Sequence, residues 1–105
     1  MRSIRQQQIQ EELRKMAGNF ISNESNRQSL ITPTRVEVSP DLKRATVYFT
    51  VFPEDKEDDV LTFLRRKRSE FKTYLKKLKF KILPFVDFEI DRGEKNRQAL
   101  EDIEV

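Results

Sequence analysis

The chain contains no cysteine, no histidine and no tryptophan, and only two glycines in 105 residues. Without cysteine there is no disulfide and no thiolate metal site. Without histidine, the commonest metal ligand and the side chain that ordinarily moves protons near neutral pH are missing too. Two glycines are too few for the phosphate-cradling loops of P-loop or dinucleotide-binding proteins. No apolar run approaches the roughly 18 residues needed to cross a bilayer. The opening MRSIRQQQIQEEL lacks the apolar stretch of a secretory signal, and its early Glu11 and Glu12 and sparse serines sit poorly with a mitochondrial presequence. The expectation is a cytoplasmic protein, a monomer, with no enzymatic activity, no cofactor, no bound metal, no small-molecule substrate and no membrane contact.

What the chain does have is phenylalanine and charge. Hydrophobic residues make up 36% and charged residues 37%, but eight Phe concentrate apolar area in few positions, enough for one small, carefully patterned core. The net charge of +3 hides a strong asymmetry: residues 54 to 59 carry −4, residues 60 to 81 carry +8, and residues 82 to 105 carry −4. A field of that density attracts polyanions, because each neutralised phosphate releases condensed counterions.

The hydrophobic period changes along the chain. Ile9, Leu13, Met16, Phe20 and Ile21 recur at helical spacing, predicting a helix over 3 to 22, with Gln, Glu, Arg and Lys on its solvated faces. A polar connector spans 23 to 30. From 31 the period is two: Thr34, Val36 and Val38 share one strand face, Ser39-Pro40-Asp41 supplies a turn, and Ala45, Val47, Phe49 and Val51 line one face of a second strand over 43 to 52. After Pro53, the acids of EDKEDD suit the positive end of a helix dipole. That helix is expected from 54 to about 78, with Leu61, Leu64, Phe71, Leu75 and Leu78 as its apolar stripe and Lys dense in its last turns. Val86, Phe88 and Ile90 alternate with Asp87 and Glu89 in a third strand that Pro84 confines to its start or to a sheet edge. Two antiparallel strands followed by a helical crossover into a parallel third give an α+β fold, a three-stranded sheet with both helices on one face.

On a straight helix, Arg65, Arg68, Lys72, Lys76 and Lys79 project within one sector of about 80°, beside the apolar stripe. Arg66 and Lys77 lie further round, and Lys67 and Lys81 extend the cluster. Glu70 is the only acid between 60 and 81, whereas a face kept merely soluble would mix its signs. These residues are the candidate phosphate contacts, Arg as a fork and Lys as a point charge. Arg2 and Arg5 offer a second phosphate track, and Arg35, Lys43 and Arg44 lie on or beside the hairpin. Tyr48 or Phe52 has the chemistry to stack a base, although core or edge cover is the commoner role for such residues. EDKEDD lacks the glycine and spaced ligands of a calcium loop. The carboxylates of Asp87, Glu89 and Asp91 carry no pocket signature that would recruit them to acid–base work.

The stretch ITPTRVEVSPDLKRATVYFTVF resembles the first hairpin of the ribosome-binding factor A family. Thr34, Arg35, Val36, Val38, Ser39, Asp41, Leu42, Ala45, Val47 and Tyr48 stand at the family spacing, and KFKILPFVDFEID resembles the family's third strand with its preceding Pro. The resemblance covers about residues 4 to 92. It implies a type II KH-like rRNA-binding domain over 1 to 92, followed by a polar acidic tail over 93 to 105. It also implies a non-catalytic assembly factor that binds the immature small ribosomal subunit through its rRNA and leaves before translation. In that family the two-glycine loop of nucleic-acid-binding KH domains is replaced by a kink between two helices, commonly Ala-x-Gly. By length, Arg68-Ser69-Glu70 takes that place here, with only Ser69 small, so a shallower, shifted or absent kink stays open. Without a GxxG loop, clamping of a single strand in the ordinary KH manner is not expected. The alternative function is an interaction module whose basic amphipathic helix meets an acidic protein or an anionic membrane. Burial of the Leu61, Leu64, Phe71, Leu75, Leu78 stripe discriminates, since a stripe packed on the sheet is not free to insert into lipid.

Overall fold

The computed structural model describes residues 4–24, 29–80 and 82–93. Helix α1 spans Ile4–Glu24, two residues past the expected end, and Gly18 does not interrupt it. Ile9, Leu13, Ala17, Phe20 and Ile21 are buried on its inner face. Its polar sequence holds one departure from expectation. Gln6 and Gln10, read as solvated, are only 8% and 9% exposed. The Gln6 side-chain amide donates to the Val38 carbonyl at 3.0 Å, and the Val38 N–H donates to the Gln10 Oε1 at 3.0 Å.

Strands β1 (Leu30–Val38) and β2 (Arg44–Phe52) form the expected antiparallel hairpin, and β3 (Phe85–Ile90) pairs with β2 in parallel, giving the order β1-β2-β3. Val36, Val38, Ala45, Val47, Phe49, Val51, Val86 and Phe88 turn one way into the core. Thr34 does not join Val36 and Val38 on that face. The β1 register shifts between Pro33 and Arg35, so Thr34 is an extra residue without a cross-strand partner and faces solvent. The turn between β1 and β2 is held by side chains: Asp41 accepts from the Ser39 hydroxyl at 2.6 Å and from the Lys43 N–H at 3.1 Å, while Leu42 takes a left-handed φ of 63°.

The helix expected over 54 to 78 is divided. A short 3₁₀ turn, Glu54–Lys56, leads into α2 (Glu57–Arg66), and α3 (Arg68–Lys77) follows after a break at Lys67. The Lys67 N–H reaches back to Leu64 rather than Phe63, at 3.0 Å, and its φ of −95° and ψ of 8° leave the helical well; its carbonyl then accepts from Phe71 at 2.9 Å to start α3. The family-type kink is therefore present but falls one residue before Arg68-Ser69-Glu70. Small side chains were the wrong cue, because this region of backbone space is open to any residue. The break lets α2 lie on β2 and β3 while α3 turns toward α1, where Phe20 packs on Phe71 and Tyr74 with ring centroids 5.1 and 5.6 Å apart. Val60, Leu64, Phe71 and Leu75 are buried beneath the two helices and Leu61 partly so, whereas Leu78 is 49% exposed. No helix among the described residues is long and apolar enough to cross a membrane.

Candidate nucleic-acid interface

Asp87 organises the basic surface. It lies on β3, whose outer edge pairs with no strand among the described residues, and its Oδ1 accepts the Phe88 N–H at 2.8 Å. The same oxygen accepts Arg65 Nε of α2 at 3.2 Å and Arg68 Nη2 of α3 at 2.6 Å. One carboxylate thus joins the sheet edge to the two helices on either side of their break. Burial pushes the Asp87 carboxyl up, but the Phe88 amide and the two guanidiniums outweigh it and hold the group below its ordinary value. Two cations share one anion, so the junction keeps a net positive charge. Arg68 Nε is enclosed without an acceptor among the described residues, and the Arg68 guanidinium lies over the Phe85 ring, 5.4 Å from its centre.

From Arg68 the positive charge continues along α3. Lys72 and Lys76 follow at intervals of four, which places the three on one helix flank. Both lysines are exposed and neither has an ion-pair partner among the described residues. Lys79 extends this line past the helix end through a specific backbone device. It adopts φ 57°, its N–H donates to Lys76 at 3.0 Å, and the Phe80 N–H donates to Leu75 at 3.1 Å, the paired bonds of a Schellman stop. A straight-helix projection no longer applies between Arg65 and Arg68, but Asp87 brings these two together across the break.

Not every candidate joins that line. Lys67 turns toward α1 and is held by Glu70 at 3.2 Å and Glu24 at 3.5 Å, the Glu70 hydrogen bond first among the influences that keep its ammonium above the usual value. Lys77 lines a groove between α1 and α3 with Glu24, Glu70, Thr73 and Tyr74, the first two being the partners of Lys67. Arg66 is exposed on α2, and Arg5 is exposed on the first turn of α1. Arg35 is the candidate least available for phosphate. Its guanidinium lies 3.8 Å over the Tyr48 ring and pairs with Glu37 and, at 3.8 Å, with Asp91. Tyr48 is accordingly covered by Arg35 and is a poor platform for a base. Burial, reinforced by Glu37, pushes its phenol above the ordinary value. Arg2 and Lys81 lie outside the described residues, as does the tail beyond Gly93.

The acids of EDKEDD fall in the 3₁₀ turn and the first turn of α2, where the helix dipole favours them. No group of three or more acidic side chains among the described residues is placed to hold a metal ion. Two features of this surface escaped the sequence reading: the linking role of Asp87, and the exposure of Phe85. The second was within reach, because the alternation that buries Val86 and Phe88 puts Phe85 on the polar face with Asp87 and Glu89.

The family model for ribosome-binding factor A matches residues 3–104. The ribosome-binding factor A of Staphylococcus carnosus is 31% identical over 111 residues, which span 98% of this chain and 96% of that protein. The crystal structure of ribosome-binding factor A from Thermus thermophilus superposes with a TM-score of 0.70 at 23% identity, covering 84% of this chain and 98% of that one. A homology model of Thermus thermophilus ribosome-binding factor A fitted into a cryo-EM map of its complex with the 30S subunit gives a TM-score of 0.67 at 22% identity, over 79% and 91% of the two chains. The likeness to the crystal structure shows the α+β fold of helix, two strands, helix and strand around a three-stranded mixed sheet.

Proposed function

The chain belongs to the ribosome-binding factor A family of non-catalytic assembly factors, and from that premise we propose that it binds the small ribosomal subunit through rRNA phosphates lying along α3. The observation that carries this reading is the line Arg68, Lys72, Lys76 and Lys79, anchored at one end by the Asp87 junction with Arg65. Lys72 and Lys76 are exposed and unpaired among the described residues, so phosphates meet them without first breaking an ion pair. Arg65 and Arg68 are held in place by one shared carboxylate, which leaves each guanidinium with further N–H donors to offer. Arg66 and Arg5 are peripheral contacts, Lys67 and Lys77 serve the α1–α3 groove, and Arg35 holds the sheet face together.

The protein acts in the cytoplasm as a monomer, docks on the immature subunit, assists the folding and processing of its rRNA, and leaves before translation begins. Residues 1 to 92 form the binding domain in this reading and residues 93 to 105 an acidic appendage. The membrane alternative loses its main support, because Leu64, Phe71 and Leu75 are completely buried and Leu61 partly so.

The test is gradient co-sedimentation with separated subunits and joined ribosomes, together with binding isotherms over a range of salt. Wild-type protein is expected with free small subunits. Contact with about five phosphates gives a slope of log affinity against log salt of about −3.5 to −4.5. Lys72→Glu with Lys76→Glu replaces two attractions by two repulsions and is expected to abolish most binding, while folding changes by no more than about 0.5 kcal/mol per exposed site. Lys43→Glu, on the hairpin turn, should weaken binding less. A double variant that binds like wild type, with its circular dichroism unchanged, would remove α3 as the contact.

A further inference from the structure

Phe85 is a large aromatic residue that the fold leaves 61% exposed, one of two phenylalanines, with Phe52 at 72%, that stand outside the core among the described residues. Its backbone is fixed by the hydrogen bond from its N–H to the Lys43 carbonyl at 2.8 Å, and it stands opposite Arg44 in the β2–β3 register. The ring borders a hollow of about 490 Å³ lined also by Lys43, Arg44, Thr46 and Asp87. The Arg68 guanidinium lies over the ring 5.4 Å from its centre, farther out than the 3.8 Å at which Arg35 covers Tyr48. The carboxylate in this hollow, Asp87, is already shared by Arg65 and Arg68, so with Lys43 and Arg44 the balance around the ring is positive.

An exposed π-face surrounded by cations suits a nucleotide: the base stacks on the ring and the flanking phosphates meet Lys and Arg. A duplex keeps its bases stacked on one another, so the matching nucleotide is an unpaired one. We infer that Phe85 is the stacking platform for one unpaired rRNA base, with Lys43, Arg44 and Arg68 receiving the phosphates on either side. The inference rests on the proposed function, because Arg68 both lies over this ring and heads the α3 line. It adds a contact that reads single-strandedness, which a row of lysines does not.

The experiment uses the full chain in two assays. In the first, Phe85→Leu keeps apolar bulk but removes the π-face, and Phe85→Tyr keeps the face. Leu is expected to weaken small-subunit binding roughly five- to one-hundred-fold with the salt slope unchanged, and Tyr to bind within about twofold of wild type. In the second, Phe85→Trp introduces the only tryptophan of the chain. Its fluorescence should be quenched saturably by a short single-stranded oligouridylate and far less by an RNA duplex of equal phosphate content. A Leu variant equal to wild type, or a Trp variant that is not quenched while subunit binding persists, overturns the stacking role and leaves the α3 contact standing. Quenching by polyglutamate but not by oligouridylate also overturns it and points to an acidic protein partner. If instead the Lys72 and Lys76 double variant binds normally while Phe85→Leu does not, the α3 reading fails and the Phe85 contact survives.

Discussion

Lys79 shows how a single residue serves two demands. The Schellman stop of α3 needs a left-handed residue at the position Lys79 occupies, where glycine carries no steric penalty and a lysine does. The conformation costs about 1–2 kcal/mol in an L-residue, part of which glycine returns through the greater freedom of its unfolded chain. Lys79→Gly is therefore expected to raise stability by up to about 1 kcal/mol in a denaturant titration. It is also expected to weaken subunit binding and lower the salt slope by less than one unit, since one phosphate contact is lost. A variant that gains stability and loses affinity together would place the side chain at this position in binding rather than folding. Lower stability would instead show that the Lys79 side chain contributes packing that outweighs its strain.

At the scale of elements, the recurring problem is the exposed edge of a small sheet, and side chains from helices solve it at both sides. On β1, Gln6 and Gln10 of α1 satisfy the outward N–H and C=O of Val38. On β3, Asp87 folds onto its neighbour's N–H and is covered by Arg65 and Arg68. Both devices occupy backbone groups that are otherwise open to pairing with another strand. Asp87→Asn is expected to lower stability at neutral pH, because the amide keeps the shape but loses the charge that both arginines share. The sign of the pH effect follows from the depressed folded-state value of Asp87. Its contribution is fully present above the unfolded carboxyl value of about 3.9 and disappears as pH falls through the still lower folded value. Denaturation midpoints of wild type and Asp87→Asn should differ at pH 7 and converge below about pH 4. A constant gap across that range would show that the carboxylate's charge is not what holds the edge.

For the molecule as a whole, charge is sorted by location. The polar face of the sheet carries Glu37, Asp87 and Glu89 with Arg35 locked among them and Arg44 at one end, while the lysines of α3 have no ion-pair partner among the described residues. An RNA approaching from solvent meets its strongest attraction along α3, and on the open sheet mainly around Phe85, where Lys43 and Arg44 stand beside the Asp87 junction. With no histidine in the chain, no side chain of ordinary pKa changes charge between pH 5 and 8. Subunit affinity at fixed salt should accordingly be nearly flat over pH 6 to 8, and steep only in salt. A marked pH dependence of the isotherms in that window, with subunits shown to be unchanged, would require a titrating group the proposed interface does not contain.

Much of this was legible because the decisive signals are local. Period-two alternation in residues 35 to 38, 45 to 51 and 86 to 90 follows from strand geometry alone, and burial of Val36, Val47, Phe49 and Phe88 obeys it. The +8 segment marked the candidate interface because charge needs no folding to be counted. The sequence by itself thus determined the order of elements, the core face of the strands and the sign of the partner. Tertiary structure alone decided which charges are free. Arg35 and Lys67 look no different from Lys72 in sequence; Glu37 and Glu70 stand close to them in the chain, but Asp91 and Glu24 reach them from elsewhere in the fold. It also decided where the helix breaks, since Lys67 has no residue type that announces a bend and the turn is set by the need of α2 and α3 to cover different elements. The burial of Gln6 and Gln10 and the joining of Arg65 to Arg68 through Asp87 have the same cause: each depends on partners 19 to 32 residues away in the chain, and such distances close only when the whole domain packs.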